Sequence, residues 1–176
     1  MNAPDQAIEI ADLARPFDFE TLFHAHYCRI ARTIARVVRD HARAEEIAVE
    51  VFWKFWRSSK APKDDRAGGW LYRTAIRMAL DELRKHARRI ANESEARPRA
   101  IETPEDVHAA AQERDRVRLV LASLDARQSE LLLLRSDGLS YNEIAGALEL
   151  NPASVGTLLS RAQQAFRKEY VKQNDR

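Results

Sequence analysis

Twenty consecutive residues, Trp70 to Arg89 (WLYRTAIRMALDELRKHARR), contain neither Gly nor Pro and are mostly strong helix formers, which predicts one uninterrupted helix. Two chemistries share it. Leu71, Ala75, Met78, Ala79 and Leu83 recur at helical spacing and give a face to bury. Trp70, Tyr72, Arg73, Arg77, Arg84, Lys85, Arg88 and Arg89 are expected on the remaining surface as aromatic planes and cations. Rings beside cations suit a partner with a phosphate backbone and bases free to stack, above all a single strand. The competing reading is an amphipathic core helix with a solvated basic side.

Upstream, Phe17 to Arg39 reads as a first helix, with Phe19, Leu22, Phe23, His26, Tyr27, Ile30, Ile34, Val37 and Val38 at three-four spacing. Asp40 suits the N-cap of a second, whose stripe is Ala44, Ile47, Ala48, Val51, Phe52, Phe55 and Trp56. Its opposite face carries Glu45, Glu46, Val49, Glu50, Trp53, Lys54 and Arg57. Trp53 among charges is either a contact anchor for another protein or a shield at the core edge. Ser58 to Gly69 (SSKAPKDDRAGG) is expected as a loop from its Ser pair, Pro, Asp pair and Gly pair, and it brings Lys60, Lys63 and Arg66 up to Trp70.

Periodicity lapses from Ile90 to about Thr103, as in a linker. Thr103-Pro104-Glu105-Asp106 then looks like a helix start, followed by Val117, Val120, Leu121 and Leu124 as core positions. Asp125 to Gln128 can cap a further helix whose Leu131 to Leu134 block is core. Ser140-Tyr-Asn-Glu143 is a capping box, and Asn151-Pro152 starts the last helix after only Glu149 and Leu150. Ile144, Ala145, Leu148, Leu150, Val155 and Leu158 point inward on this reading, which is a helix-turn-helix pattern. The second helix of such a motif presents its N-terminal residues to base edges, here Ser154, Thr157 and Arg161, with Gln164 further along. Arg135, Arg161, Arg167 and Lys168 are the candidates for phosphate contacts.

Charge separates the two halves. The chain's net charge is only +2, yet residues 17–90 hold 16 basic against 10 acidic residues, residues 91–116 hold 4 against 7, and residues 117–176 hold 8 against 7. A basic front half, an acidic connector and a nearly neutral back half indicate two modules. The expected fold is all-α, two small helical domains on a flexible linker: a tail 1–16, a module 17–90, a linker 91–116, a module 117–171 and a tail 172–176. No run approaches a membrane span, and the first residues lack a basic segment followed by an apolar block. The single Cys28 excludes an internal disulfide and a cysteine-based zinc site, and its helical setting suggests packing. No metal or cofactor is expected. His24, His26, Asp81 and Glu82 are the only acid/base candidates, and neither their spacing nor a Gly-rich loop supports catalysis.

Two blocks resemble a bacterial sigma factor of the small extracytoplasmic-function group of the sigma-70 family. FDFETLFHAHYCRIARTIARVVRDHARAEEIAVEVFWKFW with WLYRTAIRMALDELRKHARR looks like region two, and LDARQSELLLLRSDGLSYNEIAGALELNPASVGTLLSRAQQAFRKEY looks like region four. AEEIAVEVF, WLYRTA with ALDELR, and GLSYNEIAGAL before LLSRA are the specific pieces. The resemblance implies a cytoplasmic, dissociable subunit of RNA polymerase that performs no covalent chemistry itself. It implies that Glu45, Glu46, Glu50, Trp53 and Lys54 dock on the polymerase clamp helices. Lys60, Lys63, Arg66, Trp70, Tyr72, Arg73, Arg77, Arg84, Lys85 and Arg88 would hold the opened minus-ten strand. Region four, through Arg135, Ser154, Thr157, Arg161, Gln164, Arg167 and Lys168, would read the minus-thirty-five duplex and touch the polymerase flap. An anti-sigma protein is a further partner the family suggests.

Four positions depart from the family's pattern. Arg77 stands where Asn is usual, Gly156 and Leu158 stand where Lys and Arg are usual, and Glu149 replaces the turn Gly. A Gly inside a helix costs about 1 kcal/mol relative to Ala. Contact with the upstream element is therefore expected to be weak, altered or dependent on polymerase. The rival class is a stand-alone helix-turn-helix regulator of duplex operators, which explains residues 125–171 and leaves the Trp70 helix unused.

Overall fold

The computed structural model describes residues 17–94 and 105–174, whose regular structure is entirely helical. The helices are α1 (Phe19–Val38), α2 (His41–Arg57), α3 (Ala67–Ser94), α4 (Glu105–Ser123), α5 (Ala126–Ser136), α6 (Tyr141–Leu148) and α7 (Pro152–Asn174). Among the described residues no helix is long and apolar enough to cross a membrane.

Side-chain caps set most of these boundaries. Asp18 accepts from the Glu20 N–H at 3.0 Å, so α1 starts after it and not at Phe17. Arg39, expected as the last helical residue, turns left-handed at φ 60° and ends α1. Asp40 accepts from the Arg43 N–H at 3.0 Å, as its position suggested. Asp125 accepts from the Arg127 N–H at 2.9 Å. In the Ser140 capping box, the Glu143 N–H donates to Ser140 Oγ at 3.3 Å and the Ser140 N–H donates to Glu143 Oε2 at 2.7 Å. Each such bond satisfies a helix-end donor that would otherwise lack a partner.

The central helix is longer than expected. It takes in Ala67, Gly68 and Gly69 at its start and runs on through Ile90 to Ser94. Close packing explains the glycine pair: a Cβ on Gly68 would lie 3.1 Å from the His26 ring, and one on Gly69 would lie 3.2 Å from Ala147 Cα. Its buried set is also wider than one stripe. Leu71, Ala75, Ala79 and Leu83 form the expected row with Met78 half-buried beside them, and Tyr72, Ile76 and Leu80 form a second row.

With two rows to cover, α3 is shared. Against α1 and α2 it closes the first module, whose core includes Ile30, Ile34, Ile47, Val51 and Phe55. It also packs on α4, α5 and α6, so that Leu121, Leu131, Leu134, Leu139, Ile144 and Leu148 join the same apolar cluster. The two expected modules are present, but they lie face to face. Residues 105–116, assigned to the linker by charge, are the first turns of α4. The Thr103-Pro104 start signal lies outside the described residues. Arg118 fastens α4 to the C-terminal end of α1, donating to the Val37 carbonyl at 2.8 Å and the Val38 carbonyl at 2.9 Å. Those carbonyls have no intrahelical partner, and a cation there also complements the helix dipole.

Three placements differ from the sequence reading. Tyr72 belongs to the second apolar row of α3, and only 5% of it is exposed. Trp56, placed on the buried stripe of α2, is 58% exposed because Phe55 and Phe52 already fill the space above α1 and α3. Cys28, read as a packing residue, is exposed on α1.

Candidate nucleic-acid and protein-binding surfaces

On α2, Glu45, Glu46, Glu50, Trp53 and Lys54 are all exposed, as expected of a contact surface. Arg43 organises the acids: Glu46 lies at 2.8 Å, Glu50 at 3.8 Å and Glu82 of α3 at 3.1 Å from its guanidinium. Beside them runs an aromatic groove formed by Phe19, Phe23, Val49, Phe52, Trp53 and Trp56. Trp53 and Trp56 are each 58% exposed, and Val49 is 54% exposed. Phe19 meets the edge of Trp56 at 5.0 Å and Phe23 meets Phe52 at 4.9 Å, so the floor is made of interlocked rings. Acids flanking exposed tryptophans make a surface suited to a protein partner with apolar and basic groups.

The loop and α3 present the candidate cations unevenly. Lys60, Lys85 and Arg88 are exposed. Lys63 sits over three rings, with its ammonium 4.8 Å from the Phe17 centroid and 5.4 Å from that of Phe55. Arg66 folds back on Asp64 at 2.7 Å, and the guanidinium holds that carboxyl below its ordinary range. Trp70 is half-buried, edge-on to Phe55 at 5.4 Å. Tyr72 offers no open ring face: His26 meets its edge at 5.9 Å, Arg29 lies over it at 5.2 Å, and its buried hydroxyl has no hydrogen-bond partner. Burial raises its pKa, so the phenol stays protonated.

Arg73, Arg77 and Arg84 of α3 face the second module. Arg73 donates to Glu149 at 2.6 Å. Arg77 donates to Glu130 at 2.6 Å, and the Glu130 side chain is only 4% exposed. Arg84 reaches the carbonyls of Ala122 and Leu124 at 3.2 and 3.4 Å.

The helix-turn-helix geometry is as the pattern indicated. Ile144, Ala145 and Leu148 of α6 pack on Val155 of α7, while Leu150 and Leu158 are half-buried. Leu159 and Ala162, which the sequence reading passed over, are fully part of this core. Glu149 takes the left-handed conformation at φ 55° that a turn glycine would adopt freely. Thr157, Arg161, Gln164, Arg167 and Lys168 stand exposed along α7. Ser154 is half-buried and its hydroxyl donates to the Asn151 carbonyl at 2.7 Å, while the cap itself is Asn151, whose Oδ1 accepts from the Ala153 N–H at 3.0 Å. Arg135 donates to the Leu139 carbonyl at 3.0 Å and lies over Tyr141, which braces the turn between α5 and α6. A Cβ on Gly156 would meet only Tyr141, at 3.5 Å, so nothing about packing demands glycine there.

Sequence reasoning missed a cationic row on α1. Arg29, Arg32, Arg36 and Arg39 are exposed at three-four-three spacing, a signal masked by reading α1 for its apolar positions alone. Asp137, whose side chain is 6% exposed, is gripped by Arg36, by Arg29 and by the Thr33 hydroxyl at 2.8 Å.

Comparison with known proteins places the two modules. Residues 22–89 match the family description Sigma-70 region 2, and residues 114–165 match Sigma-70, region 4. The chain is 30% identical over 158 residues to the ECF RNA polymerase sigma factor SigK of Mycolicibacterium vanbaalenii, covering 85% of this chain and 80% of that one. It is 31% identical over 159 residues to the SigK of Mycobacterium ulcerans, covering 85% and 83%. Its fold resembles CnrH in the structure of CnrH in complex with the cytosolic domain of CnrY, at a TM-score of 0.54 and 20% identity, with 85% of each chain covered.

Proposed function

Because this chain belongs to the extracytoplasmic-function group of the sigma-70 family, and is a sigma factor of RNA polymerase, we propose the following division of labour over its surface. The acid and tryptophan face of α2 docks on polymerase. The loop before α3 and the cations of α3 hold the opened minus-ten strand. The exposed edge of α7 reads duplex DNA upstream. The observation that carries this reading is that each region match falls on a module whose exposed chemistry suits that region's task.

In the docking step, Trp53, Val49 and Trp56 give apolar area, and Glu45, Glu46 and Glu50 give charge complementarity to a basic partner. A few large, well-seated side chains usually supply most of an interface's affinity. Strand capture uses Lys60, Lys63, Arg66, Arg73, Arg77, Lys85 and Arg88 for phosphates and Trp70 for stacking. Arg84 acts by holding α3 to the end of α4. Unpairing a base costs a few kcal/mol, and each stacking contact returns about 1–3 kcal/mol. The chain therefore drives opening by binding alone and leaves bond chemistry to polymerase. Thr157, Arg161 and Gln164 read base edges upstream while Arg167 and Lys168 meet phosphates. An anti-sigma protein would compete for the aromatic groove of α2. The site of action is the cytoplasm, where polymerase and promoter DNA are.

A stand-alone operator-binding regulator leaves residues 22–89 without a role, although they match region two. Run-off transcription with purified core polymerase on a library of random promoters tests the proposal. Core-dependent transcripts sharing an upstream and a minus-ten element are expected. Failure to form a complex with core, or specific duplex binding by the chain alone, would overturn it.

A further inference from the structure

A cavity of about 430 Å³ lies between the C-terminal half of α1, the middle of α4 and the end of α5, away from the surfaces assigned above. Val37, Val117, Leu121 and Leu133 supply its walls, which are mostly hydrocarbon. The polar groups among them are already satisfied. Thr33 Oγ1 lies 2.8 Å from the Asp137 carboxylate and 2.9 Å from the Arg29 carbonyl. The Ser136 hydroxyl donates to the Leu133 carbonyl at 2.9 Å. Glu113 accepts from the Tyr170 hydroxyl at 2.5 Å and pairs with Arg116 at 3.3 Å. A trapped water needs several free polar partners, and these walls have few to spare. An alkyl chain needs none. The mouth has the opposite character. Arg36, Arg39, Arg114 and Arg118 stand around it, and Glu113 is the one acid among the lining residues. Arg36 is paired with Asp137, and Arg39 and Arg118 are paired with Asp115. Arg114 is exposed at the rim, with no carboxylate paired to it among the described residues.

We propose that this cavity is a binding site for an alkyl carboxylate, a free fatty acid of medium length. The tail lies against Val37, Val117, Leu121 and Leu133, and Arg114 holds the carboxylate at the mouth, in the field of Arg36, Arg39 and Arg118. A volume of this size, apolar walls and a few convergent charged groups are the features of a small-molecule pocket. Arginine takes a carboxylate through paired N–H donors, which fixes the head group. Each methylene buried strengthens binding roughly fourfold, so the tail supplies most of the affinity. The aromatic groove of α2 is also apolar, but Glu46 and Glu50 beside it repel a carboxylate. The site owes nothing to the roles assigned to α2, α3 and α7 in binding polymerase and DNA.

The test titrates the full chain with decanoate, kept below the concentration at which it forms micelles. Calorimetry gives the affinity and methyl NMR locates the contact. Shifts are expected at the methyls of Val37, Val117, Leu121 and Leu133, and not at Val49 in the α2 groove. Decanol has the tail without the charge and acetate has the charge without the tail. Decanol should bind about tenfold more weakly than decanoate, the loss of one charge-assisted hydrogen bond, and acetate should not bind measurably. R114A should weaken decanoate by the same factor and leave decanol unchanged. Val117→Phe fills the cavity and should abolish binding of both. Arg114 is exposed, so R114A carries the test in a chain that keeps its fold even if Val117→Phe does not. Equal decanoate affinity in the wild type and folded R114A, shifts centred on Val49, or no saturable binding would each overturn the proposal.

Discussion

Ser140 and Glu143 exchange two hydrogen bonds at the start of the eight-residue α6, so a short helix relies heavily on its cap. The Ser140 N–H beside Glu143, with the Ser140 hydroxyl, holds that carboxyl below its ordinary range. Ser140→Ala should destabilise the chain by about 1 kcal/mol in urea unfolding, and a change near zero would show that α6 is fixed by packing alone. His26 is a further site of acid weakening. Its ring packs against Gly68 and Tyr72, and burial first, then the nearby Arg29, lowers its pKa from the ordinary 6.5. A lowered pKa means that the folded chain favours the neutral ring. That share of stability is present above pH 6.5 and is lost as pH falls through the depressed value. The thermal midpoint should therefore decline below about pH 6.5, and His26→Gln should flatten that decline. An equally steep decline in the variant would assign it to other groups.

At the scale of elements, α2 is both a core wall and an exposed face of acids and tryptophans. Phe55 is fully buried between Phe17, Phe19 and Trp70, while Trp53 and Trp56 look outward. Phe55→Ala should cost about 3–5 kcal/mol by leaving a cavity among rings that cannot all collapse into it. A calorimetric loss below 1 kcal/mol would mean that the ring cluster repacks. Reversing Glu45, Glu46 and Glu50 to Lys should leave helix content unchanged and weaken retention of core polymerase in a pull-down. Unchanged retention would move the docking surface elsewhere. Arg43 also bridges Glu46 and Glu50 to Glu82, so helix content and melting must be checked in the same variant. The helix starts were readable because caps and Pro act locally. The two rows on α3 were not, since a residue such as Ile76 is apolar whether one neighbour covers it or two.

The whole molecule is held by two kinds of contact with different responses to salt. The shared apolar cluster of α3 with α4, α5 and α6 does not depend on ionic strength in the way that the Arg–acid pairs do. Partly exposed pairs such as Arg73–Glu149 are screened, and at about 1 M salt the Debye length is only about 3 Å. With dyes on Cys28 of α1 and on S160C of α7, both exposed positions, energy transfer should accordingly fall from low to high salt and change less in E130Q/D137N/E149G. Parallel curves for the two chains would assign closure to apolar packing alone.

The sequence by itself determined the helical class, the helix-turn-helix, most helix starts and the exposed acid and tryptophan face of α2, because caps, three-four spacing and turn residues act within a few positions of the chain. Its resemblance to sigma regions two and four was legible for the same reason, being carried by short runs of residues. Only the tertiary structure decided that the modules close on each other, that Tyr72 is core, that Trp56 is surface, and that Arg73 and Arg77 meet Glu149 and Glu130. Those pairings join residues 76 and 53 positions apart, and periodicity along one helix cannot tell which distant acid will lie opposite a given arginine.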